Sequence, residues 1–348
     1  MKTFLQPLQN LAEMEEIQKQ AKKNCGILEI SGCMESQKAH LMYGLSGLFP
    51  CHLVIAADEK SAKELYEDYR FYDKRVYYYP AKDLLFFQAD IHGNLLIRQR
   101  MQVIRALLER EDEITVVTSI DGCMDYLAPL EKIEKQLIHF RNDSTLDMDK
   151  LTAALVHMGY ERVGQVEMPG QFSIRGGIID IYSLTEENPW RIELWGDEID
   201  SIRSFDAQSQ RSLENLDDVT IYPAAEQPME KNGVLFLDYF KETETLFFLD
   251  ELNHLEENAK AVQEEFQQSC ENRKEKGEIS LSGDWMCTWE ELCHKINDRN
   301  CVAMSLLDPK KSNWKISGQF NITVKSMSSY QSSFELLVKD LKQYKKEG

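Results

Sequence analysis

Four short apolar runs alternate with helical patterns between residues 26 and 120, and this alternation constrains the fold more than any other feature. The runs read GILEISG, CHLVIAAD, RVYYYPA and EITVVTSI. Between them, apolar residues recur at spacings of three and four, at Ala62, Leu65, Tyr66 and Tyr69 and again at Ile97, Met101, Ile104 and Leu108. Strands that alternate with helices usually pair in parallel and are covered on both faces. We therefore predict an α/β domain built on a parallel sheet.

The turn after the first run has the spacing of a phosphate-binding loop without its chemistry. In the segment from Gly32 to Ala39, Gln37 replaces the glycine that lets the backbone wrap phosphate, and Ala39 lacks the hydroxyl that holds magnesium, although Lys38 is kept. A later apolar run that ends in acids, residues 246–251, does not restore the site. A degenerate nucleotide site and an unrelated strand-to-helix turn both fit, and both predict no bound nucleotide.

The composition is that of a globular protein with two or three domains: 348 residues, 43% of them hydrophobic and 28% charged. Eight cysteines without a C-x-x-C pair predict a reduced, cytoplasmic protein. The group formed by Cys287, Cys293, His294 and Cys301 lacks the paired spacing of zinc sites, so no metal is expected. The sequence has neither a signal-peptide core nor an apolar run long enough to span a bilayer, so no membrane contact is expected.

The stretch from residue 159 to 205 combines strand signals with an outward display of arginine and tryptophan. Trp190, Ile192 and Leu194 point to one side of a strand, which leaves Arg191 and Trp195 on the other side. The same alternation in the preceding strand puts Arg175 on the polar side, together with Gln171 and Ser173, just before a Gly-Gly bend. Two interpretations stay open. The set is a docking surface, since Trp and Arg supply many binding hot spots, or the arginines are merely solvated and Trp195 covers a hairpin end.

Changes in composition predict the domain boundaries. Residues 1–121 and about 207–225 form the first domain, to whose sheet a strand at Val219–Tyr222 returns, and residues 122–206 form a β-rich α+β domain inserted in it. Residues 226–348 form a small acidic, helical α/β domain, because the segment 226–295 alone holds 17 acids against 7 bases. A long helix is expected from the stripe that starts at Leu252. The helix that ends the sequence predicts a polypeptide that continues.

Several motifs in and around the central stretch resemble the UvrB-homology region of the bacterial transcription-repair coupling factors (Mfd). They are YYYPAKDLLFFQADIHGNLLIRQRM, PGQFSIRGGIIDIY, PWRIELWGDEIDSIRSFD, QRS at 210–212 and YPA at 222–224. The helicase UvrB is a more distant relative, because it keeps an intact phosphate loop and has a longer aromatic-rich hairpin. The resemblance covers about residues 1–225 and extends more weakly into the acidic third. It implies a degenerate P-loop, helicase-like first domain.

The resemblance also implies a function. A full-length coupling factor binds stalled RNA polymerase, translocates on double-stranded DNA with ATP and magnesium, and recruits UvrA in nucleotide excision repair. The polymerase-binding module and the motor would lie downstream, so this region would be a non-catalytic adaptor. UvrA would contact Arg175, Arg191 and Trp195, where the family commonly has Phe in place of the tryptophan. A C-terminal domain would mask this surface in cis until the motor engages.

From this resemblance we expect the arginines to pair with UvrA carboxylates in two-pronged hydrogen bonds. Replacing Arg191 by Ala would then weaken the complex and leave the melting temperature nearly unchanged. Two alternatives remain. One is a UvrB-like, ATP-dependent damage-binding protein, and the other is a DNA-binding helix that uses Arg98, Arg100, Arg105 and Arg110.

Overall fold

The computed structural model describes residues 2–11, 13–23, 26–82, 93–111, 113–226, 233–276, 285–307, 314–322, 330 and 333–347. The α-helices are α1 (Lys2–Gln9), α2 (Met14–Lys23), α3 (Glu35–Ser46), α4 (Glu59–Tyr69), α5 (Gly93–Leu108), α6 (Leu130–Glu134), α7 (Met148–His157), α8 (Leu252–Glu275), α9 (Trp289–Asn297) and α10 (Phe334–Glu347). The first strands are β1 (Gly26–Ser31), β2 (Cys51–Ala56), β3 (Val76–Tyr79), β4 (Ile114–Ser119), β5 (Ile138–Arg141), β6 (Glu161–Arg162), β7 (Gln171–Arg175) and β8 (Ile178–Ile181). The remaining strands are β9 (Trp190–Trp195), β10 (Glu198–Phe205), β11 (Ser212–Leu216), β12 (Asp218–Ile221), β13 (Thr245–Asp250), β14 (Asn300–Ser305) and β15 (Ile316–Asn321).

Helix starts follow local signals in the sequence. The side chain of Asp58 accepts a hydrogen bond from the backbone nitrogen of Ser61 at 2.7 Å and so caps α4. In the same way, the hydroxyl of Thr288 accepts a hydrogen bond from the backbone nitrogen of Glu291 at 3.2 Å and caps α9. Such caps satisfy backbone donors that have no partner inside the helix. Both helix starts are therefore set by side chains that lie three residues from the donor that they cap.

A seven-stranded sheet of parallel pairs forms the first domain, in the order β15-β1-β14-β13-β2-β4-β3. Side chains of one strand alternate between two cores: Leu53 and Ile55 lie in the core on one face, and Val54 and Ala56 lie in the core on the other. The sheet is thus buried on both faces, which is why its strands read as continuous apolar runs. The predicted α/β fold class, with a separate β-rich sheet, is confirmed.

In its described residues, the acidic segment after residue 226 does not form a sheet of its own. Its strands β13, β14 and β15 pair with β1 and β2 in the seven-stranded sheet. The prediction that residues 226–348 are a separate small domain therefore differs from the described structure, in which they complete the first domain. The excess of acids did not indicate this pairing. Acidic residues lie on solvated helix faces, and their number does not show which strand a buried strand pairs with. The sequence also favours a strand at about residues 320–324, and the end of that segment lies outside the described residues.

The second domain is built on a six-stranded sheet in the order β11-β10-β9-β8-β7-β6. Strand β12 pairs with β5 and not with the first sheet, so the predicted return of 219–222 to that sheet is wrong. The core of this domain runs from Phe140 to Ala224, whereas residues such as Cys123 and Leu127 pack in the first domain. The predicted bounds of 122–206 therefore shift to about 138–225.

Polar side chains of α5 join the two domains. Arg105 pairs with Glu186 at 2.5 Å, and Glu109 accepts a hydrogen bond from the hydroxyl of Tyr222 at 3.1 Å. Buried Arg100 binds Glu226 through Nε at 2.5 Å, where the chain leaves the second domain. The helix therefore holds the inserted domain at both the loop before β9 and its exit.

Candidate functional site

The register of the antiparallel strands aligns the polar residues of the second sheet. Asp180 on β8 lies opposite Arg191 on β9, and Arg191 lies opposite Arg203 on β10. On the other side of β8, Asp180 faces Ser173 of β7. Ser173 was predicted to lie on the polar side, but it is buried, and its hydroxyl donates to the carbonyl of Gly164 at 3.0 Å.

Asp180 brings the two predicted arginines together. Its carboxylate accepts hydrogen bonds from Arg191 Nε at 2.7 Å and Arg191 Nη2 at 2.9 Å. It also accepts one from Arg175 Nη2 at 2.7 Å. The side chain of Asp180 is only 1% exposed. A buried carboxylate needs a compensating positive charge, and Arg175 and Arg191 supply it.

The surroundings of the two arginines differ. Arg191 is 14% exposed. Its guanidinium lies 4.4 Å from the centre of the Phe205 ring, and its Nη2 also donates to Gln210 Oε1 at 3.0 Å. The bond to Asp180 raises the pKa of Arg191 further, although burial opposes this. Arg175 is 49% exposed and makes one bond to Asp180.

The guanidinium of Arg191 makes a two-pronged pairing within its own domain, to Asp180. The pairing that we expected Arg191 to make with a carboxylate of a partner stays a prediction. Arg175 is the arginine that offers its guanidinium to solvent.

Trp195 ends β9 and is 83% exposed, just before Gly196 starts the hairpin turn at φ +65°. Its neighbour on the same strand face, Glu193, forms an ion pair with Arg203 on β10. A large exposed indole on a paired strand has little conformational freedom left to lose on binding. We call Arg175, Arg191 and Trp195, with Asp180 beneath the arginines, the docking surface.

Two residues that bind Arg191, Asp180 and Gln210, were not predicted from the sequence to belong to this site. Asp180 stands at the polar position of the apolar run IIDI, which is the signal that places it beside the arginines once strand register is known. Gln210 has a positive φ of 57° in the loop after β10, and the sequence holds no comparable signal for it.

The altered phosphate loop between β1 and α3 is occupied by the protein's own charges. Lys38 Nζ lies 2.6 Å from Asp250 Oδ1 and 2.8 Å from Glu251 Oε1, at the end of β13. Burial lowers the pKa of Lys38, but the two carboxylates outweigh this effect, and the net shift is upward. The lysine is thus a buried cation that is compensated by two acids.

Other residues of this loop also stabilise the local fold. Gln37 Oε1 accepts a hydrogen bond from the backbone nitrogen of Met34 at 3.2 Å and so closes the first turn of α3. Gly32 has φ +81°, and a Cβ there would lie 2.2 Å from the carbonyl oxygen of Ile322 after β15. The edge strand β15 therefore approaches the loop closely. Burial raises the pKa of the neighbouring Cys33 thiol to about 12, which keeps that thiol protonated.

The remaining candidate residues are dispersed. Cys287, Cys293 and Cys301 are buried in the core of the first domain, and no group of three or more His, Cys, Asp and Glu among the described residues is placed to hold a metal ion. Arg100 and Arg105 of the predicted DNA-binding helix are paired with Glu226 and Glu186. In the described part of the chain, no helix is long and apolar enough to cross a bilayer.

The second domain defines the class of protein. Residues 138–226 match the family described as the UvrB interaction domain. These bounds agree with the core that runs from Phe140 to Ala224. The chain thus combines a parallel α/β domain with a second domain that matches the UvrB interaction family.

The relatives specify which proteins of this class the chain resembles. It is 39% identical to the transcription-repair-coupling factor of Bacillus subtilis (strain 168) over an alignment of 222 residues, which covers 58% of this chain and 19% of that protein. The factor of Staphylococcus haemolyticus (strain JCSC1435) is 37% identical over 151 residues, covering 43% of this chain and 13% of its own length. That of Staphylococcus aureus (strain MRSA252) is 36% identical over 153 residues, covering 44% and 13%.

The chain is therefore related to the transcription-repair coupling factors, and the resemblance to their UvrB-homology region is confirmed. It spans 19% or less of the length of these three relatives.

Proposed function

We propose that this chain is the UvrA-recruiting, non-catalytic part of a transcription-repair coupling factor. The observation that carries the proposal is the exposed Trp195 on the same strand as the Arg191–Asp180 pair, within the domain that matches the UvrB interaction family. An exposed aromatic with planar cations on rigid strands has the composition of a binding hot spot.

In this mechanism the three residues have different roles. Arg175 pairs with a carboxylate of UvrA, because its guanidinium is half exposed and needs only one of its donors for Asp180. Trp195 buries its indole against an apolar part of UvrA. Arg191, held by Asp180, Gln210 and Phe205, shapes the surface between them.

The wider activity belongs to the whole polypeptide. We propose that the full-length protein binds stalled RNA polymerase, moves on double-stranded DNA with ATP and magnesium, and brings UvrA to the stall. Its C-terminal domain would cover the docking surface in cis until the motor engages. The similarity of the chain to transcription-repair-coupling factors supports this proposal.

The proposal of a non-catalytic region rests on the altered phosphate loop. A bound nucleotide would need the cationic end of Lys38, which Asp250 and Glu251 occupy. This argues against the alternative of a UvrB-like, ATP-dependent damage-binding protein. The pairing of Arg100 and Arg105 with carboxylates argues against the DNA-binding helix.

Binding of purified UvrA, measured by isothermal titration calorimetry, tests the proposal. We expect Trp195→Ala and Arg175→Ala each to weaken the complex by about 1–3 kcal/mol, because each removes a side chain that would contact the partner. Neither should lower the melting temperature appreciably, since both side chains are largely outside the core.

Phe71→Ala is the matched control, because Phe71 is an equally exposed aromatic (81%) on the first domain. It should bind UvrA as the unaltered chain does. Unchanged UvrA affinity in both the Trp195 and the Arg175 variants would contradict the proposed docking surface.

A further inference from the structure

Asp180 is a charged residue of the docking surface that is too buried to meet a partner itself. Its side chain is 1% exposed, and its carboxylate contacts Arg175 and Arg191. Anything that Asp180 contributes to binding must therefore pass through the side chains that it holds.

The carboxylate of Asp180 lies between two positively charged guanidinium groups. Arg175 and Arg191 lie on β7 and β9, which flank β8, and the Nη2 atoms of both contact the same oxygen, Asp180 Oδ2, at 2.7 and 2.9 Å. Two guanidinium groups this close repel each other unless a negative charge lies between them. Asp180 thus sets the separation and the direction of both groups.

The two arginines depend on this carboxylate to different degrees. Arg191 has a further bond to Gln210 and the ring of Phe205 to hold it. Arg175 has its bond to Asp180 and is half exposed. Loss of the carboxylate would therefore free Arg175 more than Arg191, and a freed arginine must be ordered again when a partner binds.

We propose that Asp180 is a positioning residue of the docking surface, which holds Arg175 in the orientation that meets a carboxylate of the partner. This inference rests on the proposed docking of UvrA. On this inference, Asp180 contributes to the affinity for UvrA without contacting UvrA.

The test is a double-mutant cycle of UvrA affinity with Asp180→Asn and Arg175→Ala in the full chain. Asn keeps the shape of the side chain and one acceptor oxygen but removes the charge. We expect Asp180→Asn to weaken binding about fivefold, and to change it less than about twofold when Arg175 is already Ala, since the effect then has no residue to act through. Affinities are compared for equal fractions of folded protein at about 0.15 M ionic strength, where long-range attraction is largely screened.

The matched control is Glu186→Gln, which likewise removes a carboxylate bound to an arginine of the same chain, Arg105, at the domain junction. It should leave UvrA affinity unchanged.

The outcomes separate this inference from the proposed function. If Asp180→Asn binds as tightly as the unaltered chain while Arg175→Ala binds weakly, the positioning role is overturned and the docking surface stands. An equal loss in the presence and absence of Arg175 also overturns it, because the effect of Asp180 would then not pass through Arg175. If the unaltered chain itself does not bind UvrA, the proposed function falls, and the inference with it.

A measurement on the unaltered chain covers the case in which Asp180→Asn does not fold. Rotation about the Cζ–Nε bond of Arg175, followed by NMR with labelled arginine, should be hindered, as for a guanidinium held by a carboxylate. Free rotation at Arg175 would overturn the proposal without any variant.

Discussion

Arg191 and Arg175 share one carboxylate, yet the free energy that each contributes to folding should differ. Arg191 supplies two of the three arginine hydrogen bonds to buried Asp180 and packs on Phe205. Arg175 supplies one bond from a half-exposed position, where water substitutes for lost contacts. Removal of one partner from a buried pair is destabilising because the other charge is left uncompensated.

We therefore expect Arg191→Ala to lower the free energy of unfolding by about 2 kcal/mol, since Arg175 alone would then compensate Asp180. Arg175→Ala should lower it by less than about 1 kcal/mol, because Arg191 would still compensate Asp180 through two hydrogen bonds. Urea unfolding of both variants, followed by tryptophan fluorescence, measures the difference. This replaces the expectation, drawn from the sequence alone, that Arg191→Ala leaves the melting temperature nearly unchanged. Equal losses in the two variants would show that Asp180 does not distinguish its partners.

The sequence predicted the outward face of the docking surface but not its internal partners. Alternation within one strand is a local property, so Arg191 and Trp195 could be placed on the polar side directly. The pairing of Arg191 with Asp180 depends on the register between β8 and β9, which a single sequence does not encode locally. The same limit hid the burial of Ser173 beneath the segment that carries Gly164.

Elements were predictable where a local signal defines them. Residues three positions apart form the caps of α4 and α9, and the long helix α8 begins at Leu252, where its apolar stripe begins. The partners of β13, β14 and β15 were not predictable, because a parallel strand pairs with one that is distant in sequence. Strand β1, for instance, pairs with β14, whose register joins Gly26 to Asn300.

The contact between the β1–α3 loop and the end of β13 leads to a prediction for Lys38. Lys38→Met should lower the free energy of unfolding by about 3–5 kcal/mol, because Asp250 would be left buried without its cation. Lys260→Met is the control, since Lys260 pairs with Glu256 on the surface of α8 and should contribute less than about 0.5 kcal/mol. Both are measured by chemical unfolding.

Thermal unfolding of the unaltered chain and of Lys38→Met, with and without magnesium-ATP, tests whether the loop binds nucleotide. We expect no change in the melting temperature of the unaltered chain, because only a ligand that binds the folded state stabilises it. A rise with ATP in the unaltered chain that is absent from Lys38→Met would mean that the loop binds phosphate. That result would favour the ATP-dependent alternative over a non-catalytic region.

For the whole molecule, the question is how far the inserted domain depends on the sheet that carries it. Three polar contacts cross the junction, from Arg105 to Glu186, from Tyr222 to Glu109 and from Arg100 to Glu226. Ile97 of α5 also packs against the cores of both domains. The apolar residues of the second domain form a core that is continuous within it. A domain that contains its own core is expected to fold alone.

We therefore expect the excised segment 138–226 to unfold cooperatively in urea and to bind UvrA with nearly the affinity of the full chain. The matched control is a fragment with the bounds that composition suggested, 122–206. It lacks β12, which pairs with β5, together with the buried side chains of Val219 and Ile221, so its core would be left open. That fragment should be largely unfolded by circular dichroism and should not bind. A folded 122–206 would show that β12 is dispensable, whereas an unfolded 138–226 would show that the α5 contacts are needed for the domain to fold.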